Sequence, residues 1–149
     1  MNDAEFQSLG LPAIDQIGFV VPDMDKAIRD YEMLFGPFQR MDSPLEGVWF
    51  RGELCDVHLE LAFGRSGDME IEFIAVRSGQ SPHSEFLAAG GNGVQHLRMR
   101  VDDHDLAAES LKSLGYEAVW RHRIGDDIAF SYHQRSGETT MIELLQMPH

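Results

Sequence analysis

Apolar and polar positions along this chain run through the same pattern twice. From residue 13 to 21 they alternate with period two: Ile14, Gln16, Gly18 and Val20 fall on one face and Ile17, Phe19 and Val21 on the other, which predicts a strand. Pro22 stops it and Asp23 offers an N-cap. Ala27, Ile28, Tyr31, Leu34 and Phe35 then recur at helical spacing, so a helix is expected over 24–35, with Gly36 at its C′ position. Strands are expected at 47–51, 57–63 and 69–76, the last two joined by a turn at 64–68. This first unit reads βαβββ.

A glycine- and serine-rich stretch, 78–93, follows as a connection with a short helix at 83–89, and the order then returns. A strand at 94–101, an Asp103 cap and a helix at 104–114 with Leu106, Leu111 and Leu114 on its apolar face precede strands at 117–121, 128–134 and 140–146. The expected organisation is a single domain over 1–149, with one βαβββ module at 13–77 and a second at 94–146. Its fold class is α+β, the two tandem modules forming a curled, eight-stranded mixed sheet.

The two rounds match in register. Gln16 and His96 lie 80 residues apart, as do Asp23 and Asp103, and E-I-E-F-I at 70–74 is echoed by M-I-E-L-L at 141–145 with Glu72 and Glu143 71 apart. Residues two apart on a strand share a face. Opposite Gln16 lie Ile17, Phe19 and Val21; opposite His96 lie Leu97, Met99 and Val101; Ile71 and Phe73 oppose Glu72, and Ile142 and Leu144 oppose Glu143. One sheet face therefore packs under helices, and the other displays Gln16, Glu72, His96 and Glu143.

Two carboxylates gathered in a cavity with an imidazole and an amide would be costly to bury without a compensating cation. One nitrogen and three oxygen donors without sulfur suit a divalent Zn, Ni, Co, Mn or Fe ion. Arg98, two residues after His96, shares its face and is a candidate for holding an anionic substrate group. His58, Tyr132 and His133 are further substrate-binding candidates, and which of Tyr132 and His133 faces inward depends on strand register.

Composition narrows the partners. The formal net charge of −13, with Arg121-His122-Arg123 as the one basic cluster, disfavours nucleic acid and anionic membrane surfaces. The single Cys55 leaves no intrachain disulfide and fits a reducing compartment, the amino-terminal residues do not have the pattern of a signal peptide, and no run of roughly 18 apolar residues occurs. A cytoplasmic protein is expected.

The repeated units and the four polar positions resemble the vicinal oxygen chelate superfamily, which includes glyoxalase I, methylmalonyl-CoA epimerase, bleomycin-resistance proteins and extradiol dioxygenases. The similarity spans about 13–146. The Gln, Glu, His, Glu set is similar to the ligands of some glyoxalases I, whereas S-P-H-S-E-F-L-A-A-G-G-N-G-V-Q-H-L-R-M-R-V-D-D is closer in wording to methylmalonyl-CoA epimerase, in which His usually stands where this chain has Gln16. The resemblance implies paired modules curled around one divalent ion held by Gln16, Glu72, His96 and Glu143. It also implies proton transfer next to a carbonyl, by an isomerase, epimerase or lyase, with Glu143 as base and Glu72 as its partner on the opposite side. The substrate would be a small or aromatic carbonyl compound or a thioester, and the assembly a homodimer. The alternatives are a metal-free ligand-sequestering protein of the bleomycin-resistance kind and an extradiol-type dioxygenase, which ordinarily needs two His and one carboxylate.

Overall fold

The computed structural model describes residue 4 and residues 9–148. The signal-peptide reading falls largely on amino-terminal residues outside that set. Among the described residues are eight strands: β1 (Gln16–Val20), β2 (Gln39–Phe50), β3 (Glu53–Ser66), β4 (Met69–Gly79), β5 (Gly93–Arg100), β6 (Tyr116–Ile124), β7 (Ile128–Arg135) and β8 (Met141–Gln146). Three helices accompany them: α1 (Met24–Phe35), α2 (Pro82–Ala88) and α3 (His104–Ser113). No helix among the described residues is long and apolar enough to cross a membrane.

The strands close into one barrel in the order β1-β4-β3-β2-β6-β7-β8-β5. Within each module the first and last strands, β1 with β4 and β5 with β8, run parallel, because a helix connects the first strand to the rest; the other pairs are antiparallel. The modules join along β1–β5, where Gly18 lies opposite His96, and more briefly along β2–β6, where only Trp49↔Arg121 and Phe50↔Trp120 pair.

The expected division of faces holds. Val21, Ile71 and Phe73 pack under α1 with Met24 and Ala27, while Val101 and Leu144 pack under α3 with Ala107 and Leu111. Asp23 and Asp103 cap α1 and α3, accepting from the amides of Lys26 and Leu106. Inside the barrel, Val20, Leu59, Leu61, Ile74, Trp120 and Tyr132 form the interior core.

Three local expectations fail for physical reasons. β2 begins at Gln39, well before residue 47, and includes Pro44; for most of its length it pairs only with β3, and the free edge tolerates a residue without an N–H. Gly36 is not left-handed, with φ −80°; it is needed because a Cβ there would lie 2.6 Å from the Glu32 carbonyl oxygen. Its counterpart Gly115, with φ 93°, is left-handed. Leu34 and Leu106, assigned to apolar helix faces, are mostly exposed.

Candidate metal centre

Each of the four repeated polar residues comes from the first or last strand of a module, and β1, β4, β5 and β8 lie side by side in the barrel. Register then gathers their inward side chains. Gln16 Oε1 lies 2.9 Å from His96 Nε2, Glu143 Oε1 3.2 Å and Glu72 Oε1 3.4 Å. Ligand atoms of Glu72, His96 and Glu143 all fall within 4.8 Å of one another. All four residues belong to one chain, so the cluster is complete without a second copy.

Burial makes this arrangement electrostatically demanding. It disfavours the charged imidazolium of His96, yet hydrogen bonds to Glu143 and Glu72 and the attraction of their carboxylates outweigh it and push His96 up to about 9. Burial likewise raises Glu72, against the pull of His96. Without an ion, a proton on His96 Nε2 is shared among three oxygens. A divalent cation would take that proton's place, and the donor set of one imidazole nitrogen, two carboxylates and an amide oxygen fits such an ion.

Neighbouring groups fix the donors. Gln95 Oε1 accepts from His96 Nδ1 at 2.7 Å, which leaves Nε2 to face the cluster. Gln16 Nε2 donates to Glu70 Oε1 at 2.7 Å, turning the amide oxygen toward His96. Arg98 does share this face, but its guanidinium is engaged by Asp15 at 2.9 and 3.0 Å and lies 3.4 Å from Glu70. Burial works against its charge, and Asp15, Glu143 and Glu70 hold its pKa above the ordinary arginine value. Its contacts therefore brace Gln16 through Glu70.

Above the cluster the barrel opens into a cavity of about 620 Å³, walled by apolar side chains including Leu59, Leu61, Phe63, Trp120 and Phe130. Tyr132 is the inward member of its pair: it lines this cavity, stacks on His96 with ring centroids 4.9 Å apart, and is opposite Glu143 in register. Burial and the nearby Glu143 and Glu72 raise its hydroxyl well above the ordinary tyrosine value. His133 faces outward beneath α3, where Ser131 Oγ meets its Nε2 at 2.7 Å, so it does not reach the central cavity. His58 does not line the central cavity either. Alternation with the inward Val57 and Leu59 turns it outward, where it pairs with Asp42 at 2.5 Å.

Besides Gln95 and Glu70, two further contributors were not singled out from the sequence. His83, in the connecting helix α2, is fully buried against Trp120 and meets the Tyr132 hydroxyl at 2.8 Å through Nε2; burial, with the nearby His96, pushes it down to about 3 and keeps it neutral. Gly18 leaves the space that the His96 ring fills. A histidine inside a short helix and a glycine inside a strand gave no periodic signal.

Residues 15–132 match the model of the Glyoxalase/Bleomycin resistance protein/Dioxygenase superfamily, and the chain belongs to that family. No curated protein matches the sequence. Among solved structures, a methylmalonyl-CoA epimerase from Mycobacterium tuberculosis is similar in fold, with TM-score 0.63 and 22% identity over 93% of this chain and 90% of that one. A triple mutant of 4-hydroxymandelate synthase from Streptomyces coelicolor gives TM-score 0.62 and 18% identity over 93% of this chain and 49% of the other. A Streptomyces coelicolor methylmalonyl-CoA epimerase in complex with 2-nitronate-propionyl-CoA gives TM-score 0.55 and 20% identity over 92% and 95% of the two chains.

Proposed function

We propose that this protein is a metal-dependent enzyme that moves a proton on the carbon next to a carbonyl, as an isomerase, epimerase or lyase. The observation behind this reading is the convergence of three oxygen donors within 3.4 Å of His96 Nε2 at the base of an apolar cavity. Gln16, Glu72, His96 and Glu143 would hold one divalent ion, which supplies Lewis-acid polarisation of a substrate carbonyl. Glu143 is assigned as the base that takes the proton, with Glu72 on the facing wall as its partner. Tyr132, beside Glu143, lines the path of the substrate, and the apolar walls exclude water from the reacting carbon.

The cavity volume suits an acyl or aromatic carbonyl compound. A coenzyme A thioester is one class to try, since epimerases acting on such compounds share this fold. A dioxygenase reading is disfavoured because the cluster holds one imidazole, and His83, which also lines the cavity, is hydrogen-bonded to Ser81 and Tyr132. A cytoplasmic homodimer belongs to the same proposal, and sedimentation of the purified chain reads its assembly.

The test is solvent deuterium exchange into the α-position of candidate carbonyl compounds and thioesters, methylmalonyl-CoA among them. Exchange that stops on chelation, returns with a divalent ion and is lost in Glu143→Gln supports the reading. Tight binding of apolar ligands by a protein that takes up no metal and catalyses no exchange would favour sequestration instead.

A further inference from the structure

The two halves of the barrel differ where they should match, under α3. Through the register of β3 on β4 and of β7 on β8, Glu60 corresponds to Ala129, Ala62 to Ser131 and Gly64 to His133; Met24 at the start of α1 corresponds to His104 at the start of α3. Pairing of β2 with β3 and β6 with β7 likewise matches Arg40 to Arg121. In the first half the space is much smaller, about 220 Å³ beside Met24, Asp25 and Arg40. Glu60 is clamped by Arg40, whose Nε lies 2.8 Å away, and by Arg77, and Phe38 lies so close to Gly64 that a Cβ there would sit 2.7 Å from its ring.

In the second half Ala129 removes the counterpart of Glu60, and a cavity of about 750 Å³ opens between α3 and the outer face of β6 and β7. Arg121 is left over the Trp49 ring at 4.1 Å with no carboxylate partner among the described residues. The floor of the cavity is polar where the first half is apolar. Asp105 Oδ1 meets His104 Nδ1 at 2.9 Å, His104 Nε2 meets Ser131 Oγ at 2.7 Å, and Ser131 Oγ meets His133 Nε2 at 2.7 Å.

A carboxylate only accepts, so with both imidazoles neutral the protons along this chain run in one order. His104 donates Nδ1–H to Asp105, Ser131 donates to His104 Nε2, and His133 donates Nε2–H to Ser131. The Nδ1 of His133 is then an unprotonated acceptor on a ring that lines the cavity, and burial, with His104 beside it, lowers that ring to about 4. The fold does not require these groups, because its other half is built at the same positions from Met24, Ala62 and Gly64.

We infer that the cavity under α3 is a second small-molecule site, which binds a carboxylate on Arg121, in the role Glu60 plays for Arg40, and a hydroxyl or amino group on His133 Nδ1. Arg121 pairs with Ser131 in register and His133 lies two residues further along, so the two residues stand about 7–8 Å apart at the backbone on the same sheet face. A ring that carries a hydroxyl opposite a carboxylate presents both groups at its two ends. This site is separate from the central cavity, since β7 turns Tyr132 inward and Ser131 and His133 outward.

The test is calorimetric titration of the full chain with 4-hydroxybenzoate and with benzoate. The expected result is saturable binding of 4-hydroxybenzoate, tighter than benzoate, weakened about tenfold or more in Arg121→Gln and retained in Glu143→Gln. Ala129→Glu, which supplies the missing carboxylate from within, should abolish binding while the chain still unfolds cooperatively. Should Ala129→Glu fail to fold, Arg121→Gln decides alone. No saturable binding to the wild type, equal affinity for the two acids, or Arg121→Gln binding as tightly as wild type overturns the inference, as does loss of binding in Glu143→Gln, which would put the acid inside the barrel. None of these outcomes depends on catalysis in the central cavity.

Discussion

Gly18 and His96 face each other across the β1–β5 pair, and the imidazole occupies the volume a side chain on residue 18 would need: a Cβ there would lie 1.9 Å from His96 Cε1. The overlap is with a ring that is itself fully buried, so the ring cannot swing into solvent. Gly18→Ala is therefore expected to push Nε2 away from Gln16, Glu72 and Glu143. Overpacking of this kind costs about 1–3 kcal/mol of stability. Metal affinity should fall by more than the stability loss explains. Thermal unfolding and metal titration of the variant check both, and a variant that binds metal as tightly as wild type would contradict the geometry.

Gln95 acts on the opposite side of the same ring. Its Oε1 is the only acceptor on His96 Nδ1 among the described contacts, and Gln95 is fully buried. Gln95→Leu should leave the fold largely in place and weaken metal binding about 10–100-fold, the usual scale for loss of such a supporting contact. Competition against a chromophoric chelator measures it.

Stability of the metal-free chain should depend on pH with a definite sign. His96 is raised from 6.5 to about 9 in the folded state, so its contribution is complete below pH 6.5 and is lost as pH rises through about 9. Glu72, also raised, acts in the same direction. His83 and His133, lowered from 6.5 to about 3 and about 4, are still partly protonated in the unfolded chain just above pH 6.5 and oppose this slope there; above about pH 7.5 they are neutral in both states and add none. Melting in the presence of a chelator should therefore move to lower temperature between about pH 7.5 and 9, and His96→Gln should flatten that dependence. A melting temperature that climbs over this range would contradict the assignment.

The repeat made most of this architecture legible. Period-two alternation separated the helix-packed faces of β1, β4, β5 and β8 from the face carrying Gln16, Glu72, His96 and Glu143, because each of those strands is apolar on one side and the polar residue stands out on the other. The same logic could not decide between Tyr132 and His133: both neighbours are polar aromatic residues, and parity depends on where the strand starts. It also missed the first part of β2, whose residues 39–46 are largely exposed and interrupted by Pro44, so that no alternation survives. His58, a candidate by residue type, follows the pleat of its strand and faces Asp42.

Loading of the site should release a proton. With His96 at about 9, the metal-free site still holds its proton at pH 7.5, and an ion bound to Nε2 must displace it. Calorimetric titration with a divalent metal in two buffers of different ionisation enthalpy should show release of about one proton per ion. Uptake independent of buffer would mean that the ion does not reach His96.

The most direct test of the central claim is the metal content of protein purified without chelator, measured by elemental analysis alongside His96→Ala and Glu143→Gln. One equivalent of a divalent transition metal per wild-type chain, strongly reduced in both variants, is the expected result. A wild-type protein that remains empty after dialysis against Zn, Ni, Co, Mn and Fe salts, or variants that retain a full equivalent, would contradict a cation shared by the two halves of the barrel.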